Sequence, residues 1–245
     1  MHLPTGFQTV EEKKKALLAE MKRNGVSKGV VISDSAIESE IGSLRECAEI
    51  FSDTDNIFVV GGISPFFDYE EQLVLLEKYI LEKKVSGIKI YCGHEPIYLD
   101  DEKLNPVYRI AEKYSVPVLF HSGWDNPHYS SPEIIKRTAA LYSNVKFVCC
   151  HCCYPKLAEC FETLAEFENV YFDLSSTADD PAIGSEIKSA VENAVHHMPK
   201  RIIFGSDFAG CNQREHIEFF MGLDISDTEK RLLFSDNSLN ILGLK

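Results

Sequence analysis

Basic residues are scarce in this sequence: 25 Lys and Arg face 38 Asp and Glu, a formal charge of -13. A surface that holds nucleic acid or an anionic membrane needs net positive charge, so neither is an expected partner. A local basic pocket for a small anion stays open. Long apolar runs are also missing. None reaches the roughly 18 to 20 residues that cross a bilayer, and no leader-like succession of basic, apolar and small residues opens the chain. The cytoplasm is the expected compartment. There is no G-x-G-x-x-G phosphate loop and no linker-like stretch, so residues 1–245 are expected to form one domain.

Cysteine, by contrast, is plentiful, with eight residues. Cys47, Cys92, Cys160 and Cys211 are scattered, whereas Cys149, Cys150, Cys152 and Cys153 surround His151. Disulfide frameworks belong to shorter secreted chains, which favours reduced thiols. The cluster holds two overlapping C-x-x-C spacings, but they continue an apolar strand and no second half of a zinc ribbon follows. These cysteines are expected to pack as small hydrophobes around His151.

Hydrophobic patterning alternates between two periods along the chain. Thr9 and Glu12 form a capping-box pair that opens a helix carrying Leu17, Leu18 and Met21. Strands are expected at Lys28–Ser33, Asn56–Gly62, Ser86–Tyr91, Val116–His121, Asn144–His151, Asn169–Leu174 and Arg201–Gly205. Helical patterns follow each one, among them 36–51, 104–114, 157–167 and 183–197. Strand beginnings recur at intervals of roughly 30 residues, the length of one βα unit. Seven strands with helices between them either open into a doubly wound sheet or close into a barrel.

The strand ends favour closure. VPVLFH delivers His121, NVKFVCCH delivers His151, and RIIFGSD delivers Asp207. Imidazoles and a carboxylate at the carboxyl ends of several parallel strands describe one shared site, as in a TIM (β/α)8 barrel. Closure normally takes eight strands, so one is missing. Neutral imidazoles with a carboxylate suit Zn2+, Mn2+ or Fe2+, and an open coordination position lets bound water ionise near neutral pH.

Taken together, GIKIY at 87–91, PVLFHSG at 117–123, NVYFDLS at 169–175, RIIFGSDF at 201–208 and DNSLNILGL at 236–244 resemble the amidohydrolase superfamily. The likeness is to its amidohydrolase-2 branch of metal-dependent TIM-barrel hydrolases. In that family the first strand ends in His-x-His, both histidines binding metal. Here Met1-His2-Leu3 matches the second histidine and the residues around it, so the first histidine and strand one are expected upstream of Met1.

The resemblance implies a site with one or two divalent ions. His2, His121 and Asp207 are then metal ligands, and Asp207 also shuttles a proton. His151 is a second-metal ligand or a partner of the attacking water. Lys89 is a carboxylated bridging ligand or the holder of a substrate carboxylate. Trp124, His94 and His128 are expected on the rim, facing a small-molecule substrate. Asp173 orients a neighbour or serves structure. His196, His197 and His216 are expected to be ordinary helix-end residues exposed to solvent.

The reaction expected is attack of water on an amide, ester or lactone carbon. Non-oxidative decarboxylation of a small carboxylic acid is the alternative, although no arginine follows a strand end to match it. A metal-dependent DNase would place Glu where Lys89 stands. A catalytically silent binding barrel is the remaining reading, and two unpaired sheet edges leave homodimerisation open.

Overall fold

A computed structural model describes residues 1–244. Helix α1 (Val10–Arg23) opens with the expected capping box: the Glu12 N–H donates to Thr9 Oγ1 at 3.2 Å, and the Thr9 N–H donates to Glu12 Oε2 at 3.1 Å. Leu17 and Met21 bury its inner face. Strands β1 (Gly29–Ile32), β2 (Ile57–Gly62), β3 (Gly87–Ile90), β4 (Val118–His121), β5 (Phe147–Cys150), β6 (Val170–Asp173) and β7 (Ile202–Ile203) form one parallel sheet in chain order. Helices α2 (Leu44–Ile50), α3 (Tyr69–Leu81), α4 (Asn105–Tyr114), α5 (Pro132–Leu141), α6 (Leu157–Leu164) and α7 (Gly184–His197) follow β1 to β6 in turn. After β7 come α8 (Gln213–Met221), α9 (Asp227–Arg231) and α10 (Asn237–Ile241). This is a TIM-type α/β barrel with seven strands among the described residues.

Because side chains alternate across a strand, the core divides into two layers. Ile88, Phe120, Phe147, Cys149 and Phe172 point outward and pack against the helices. Val60, Leu119, Val148, Cys150 and Ile203 point inward and fill the barrel. Residues two positions further on the inward face therefore reach the top of the barrel, and that geometry carries the site.

No ladder joins β7 to β1. At the top of this gap Met1 lies beside β1: its nitrogen donates to the Val30 carbonyl at 3.2 Å, and its carbonyl accepts from the Ile32 N–H at 2.9 Å. The His2 N–H donates to the Phe208 carbonyl on the far side. Below them a cleft of about 340 Å³ separates Val30 and Ile32 from Ile203 and Phe204. The missing strand foreseen from sequence falls at this place.

One element is shorter than its sequence pattern. A helix over 36–51 is expected, but only Leu44–Ile50 is helical. Asp34 captures the preceding turn, accepting from the Ser35 N–H at 2.7 Å and from Ser39 Oγ at 2.5 Å. Gly42 then takes φ 87°. Local side-chain bonds of this kind compete with helix formation.

Candidate metal centre

The inward alternation brings Lys89 of β3, His121 and Cys150 at the ends of β4 and β5, and Asp173 of β6 to the barrel top. Ladder register aligns His121 with Cys150 and Cys150 with Asp173. Past the strand ends, the backbone turns left-handed at His151 (φ 64°) and Asp207 (φ 53°). A small cavity of about 70 Å³ results, lined by His2, Lys89, His121, His151 and Asp207 together with Tyr91, His94, Cys150 and Ser175. Gly205 permits the approach of the last loop, since a Cβ there would collide with the Asp173 carboxylate.

Hydrogen bonds fix which face each imidazole presents. His151 Nδ1 lies 2.8 Å from the Ser175 carbonyl oxygen, and His2 Nδ1 lies 2.8 Å from that of Ile32. A carbonyl only accepts, so each Nδ1 carries a proton and Nε2 is the nitrogen left to meet a ligand. His121 Nε2 is buried without a partner. Its ring centroid stands 4.8 Å from that of His151. A buried polar atom left unpaired calls for an explanation, and a metal ion is the partner that neutral imidazoles are suited to take.

The carboxylate is held from two sides. His2 Nε2 lies 3.3 Å from Asp207 Oδ1, and Ser176 Oγ donates to Asp207 Oδ2 at 2.8 Å. Burial would raise the Asp207 pKa, but its contacts with His2 and His151 outweigh burial and hold it well below the usual carboxylate range, so a proton entering the cluster settles on an imidazole before the carboxylate. Burial lowers both His121 and His151, and their mutual proximity and Lys89 lower His121 further. His121 and His151 are thus neutral and the carboxylate is charged, the protonation states that a divalent cation requires.

Of the sequence candidates, His2, Lys89, His94, His121, His151 and Asp207 meet at this cavity. His94 is exposed at its mouth, with its ring centroid 4.1 Å from that of His121. Trp124 and His128 do not line it. Trp124 stacks on Tyr154 at 4.3 Å, and His128 packs on Tyr129 at 4.3 Å, both on the outer rim.

Ser175, Ser176 and Tyr91 were not foreseen as part of the site. Ser175 links His151 to Asp173, donating to Asp173 Oδ2 at 2.8 Å, while Tyr91 donates to the Ser33 carbonyl at 2.6 Å. Two serines after a strand resemble any turn, so only the spatial neighbours reveal them. His216 corrects the expectation of a solvated helix-end residue: it is 1% exposed, because that face of α8 turns inward with Gln213 and Phe220.

The family model described as Amidohydrolase matches residues 13–244. The chain belongs to this family. No curated protein sequence matches it. Among solved structures, an uncharacterized TIM-barrel protein from Bordetella bronchiseptica superposes with a TM-score of 0.78 at 20% identity, over 98% of this chain and 87% of that one. The amidohydrolase fold is shared with a 5-carboxyvanillate decarboxylase from Novosphingobium aromaticivorans that has manganese bound (TM-score 0.68, 13% identity, 94% and 80% covered). It is shared too with a candidate 2-pyrone-4,6-dicarboxylic acid hydrolase from Acinetobacter baumannii (0.69, 12%, 94% and 88%).

Proposed function

We propose that this amidohydrolase-family protein is a metal-dependent hydrolase of a small molecule, adding water to an amide, ester or lactone carbon. The observation that carries this reading is the buried, unpartnered His121 Nε2, set beside two imidazoles whose Nδ1 atoms are committed to carbonyls. His121, His2, His151 and Asp207 are the residues that would hold a divalent ion, and their nitrogen and carboxylate donors suit zinc or manganese. Such an ion supplies Lewis acidity, which polarises a carbonyl and makes water acidic enough to lose a proton near neutral pH.

The chain's own residues do the rest. Asp207, charged and fixed by Ser176, accepts the proton of the attacking water and returns it to the leaving group. Ser175 and Asp173 hold His151 in one orientation, so the donor set is arranged before substrate arrives. Lys89 is buried, and its position on the cavity wall suits it to pair with a negative group of the substrate. Asp207→Asn is expected to lower kcat by about 10²–10⁴-fold.

A decarboxylase is the second reading, supported by the likeness to the manganese-bound 5-carboxyvanillate decarboxylase and by the same Lys89, which would take the carboxylate. The test is one assay panel on protein loaded with zinc or manganese. Amides, esters and lactones are followed by acid release, and hydroxybenzoic acids by release of carbon dioxide. Acid release supports the hydrolase. Carbon dioxide without acid release replaces it with the second reading, and loaded, folded protein inert toward both classes overturns both.

A further inference from the structure

The outward face of β5 carries a second group of ligating side chains, separated from the metal centre by the strand itself. Cys149 of β5, Cys153 just beyond it and Cys160 of α6 bring their three sulfurs within 4.8 Å of one another. Cys149 and Cys153 lie 4.0 Å apart. Cys149 and Cys160 are fully buried, and Cys153 is 8% exposed, which leaves one edge of the trio at the surface. The sheet places Cys149 outward because Cys150 takes the inward position, and the chain then returns so that Cys153 and α6 cover it.

Sulfurs bound at about 2.3 Å to one pyramidal centre stand roughly 3.3–3.5 Å apart, so side-chain rotation has to close the trio by about an ångström for it to share a single atom. Charge decides which atom. Three thiolates around a divalent ion leave one net negative charge, and around a monovalent ion two. No lysine or arginine among the described residues hydrogen-bonds the three sulfurs. The near polar group is Ser122, whose hydroxyl donates to the Cys150 carbonyl at 2.6 Å and so meets Cys149 Sγ, at 3.1 Å, only as an acceptor. An uncompensated buried anion is costly, whereas a trivalent centre with three thiolates is neutral.

We propose that Cys149, Cys153 and Cys160 form a trithiol site for a trivalent metalloid, of the arsenite or antimonite class. The exchange is balanced and without redox change: one neutral trihydroxide meets three thiols, three metalloid–oxygen and three S–H bonds break, three metalloid–sulfur bonds form, and three waters leave. Soft thiolate donors favour such a centre over the hard cations that suit carboxylate and water.

The test uses sodium arsenite on the full chain. Native mass spectrometry is expected to show one arsenic gained and three hydrogens lost per chain. Thiol counting after denaturation without reductant is expected to fall from eight toward five. X-ray absorption at the arsenic edge is expected to show three sulfur neighbours. Cys160→Ala should lose the adduct on transfer to arsenite-free buffer, with circular dichroism reporting whether it folds. Cys153→Ser provides a second variant, and the wild-type sulfur count needs no variant at all. Folded wild-type protein that gains no arsenic, arsenic bound to fewer than three sulfurs, or an adduct that persists in folded Cys160→Ala overturns the proposal.

Discussion

His151 Nδ1 donates to the Ser175 carbonyl at 2.8 Å, and Ser175 Oγ in turn donates to Asp173 Oδ2 at 2.8 Å. This connection fixes the orientation of the His151 ring beside His121, so the aim of this imidazole depends on Ser175.

Removing the serine hydroxyl should therefore weaken metal binding without unfolding the barrel. Ser175→Ala leaves the backbone carbonyl and the N–H that donates to Asp173 Oδ1 in place but removes the hydroxyl between Asp173 Oδ2 and His151 Nδ1, and loss of an outer partner of this kind typically costs about 10–100-fold in metal affinity. Titration with zinc or manganese by calorimetry, beside circular dichroism, checks it. An unchanged affinity would remove Ser175 from the account.

Burial holds His121 and His151 below their ordinary histidine values. In the unfolded chain both take protons near pH 6.5, while in the fold they stay neutral to lower pH. Protons thus favour the unfolded chain. Stability of the metal-free protein should be intact above about pH 6.5 and fall below it, by at most about 1.4 kcal/mol per pH unit for each histidine. Urea midpoints between pH 5 and 8 read this slope, and His121→Asn should flatten it.

Gly205 faces the Asp173 carboxylate too closely for any side chain. Gly205→Ala should cost about 1–3 kcal/mol through overpacking. At this chain length that lowers Tm by about 2–4 °C per kcal/mol. Thermal melts of the metal-free variant test it, and an unshifted Tm would mean that the loop moves aside freely.

Apart from the Met1 bonds to Val30 and Ile32, no ladder covers the facing edges of β1 and β7, and such edges seek partners. Fusing a short alternating apolar segment ahead of Met1 should pair with Gly29–Ile32, raise Tm and shield these amides from hydrogen exchange. If the fused segment leaves protection at Val30 unchanged, the cleft does not accept a strand.

Much of the fold is legible in the sequence. Continuous apolar runs ending in His121, His151 and Asp207 mark the strands and bring these three side chains to one cavity, because a parallel barrel puts its strand ends in one place. What sequence could not show depends on which contacts prevail in the fold, whether near or distant in the chain. The Asp34 turn replaced a helical pattern with side-chain hydrogen bonds. His216 looked solvated until α8 docked. Trp124 and His128 follow His121 closely in sequence, yet the left-handed turn at Trp124 (φ 49°) carries them to the outer rim.

The central claim is that His2, His121, His151 and Asp207 hold a divalent ion. Elemental analysis of protein purified without added metal or affinity tag, beside folded His121→Ala, tests it most directly. The account predicts zinc or manganese at one or two equivalents in the wild-type chain, and a loss of at least one equivalent in the variant. Folded wild-type protein without metal, which takes none up from added zinc or manganese, would contradict it.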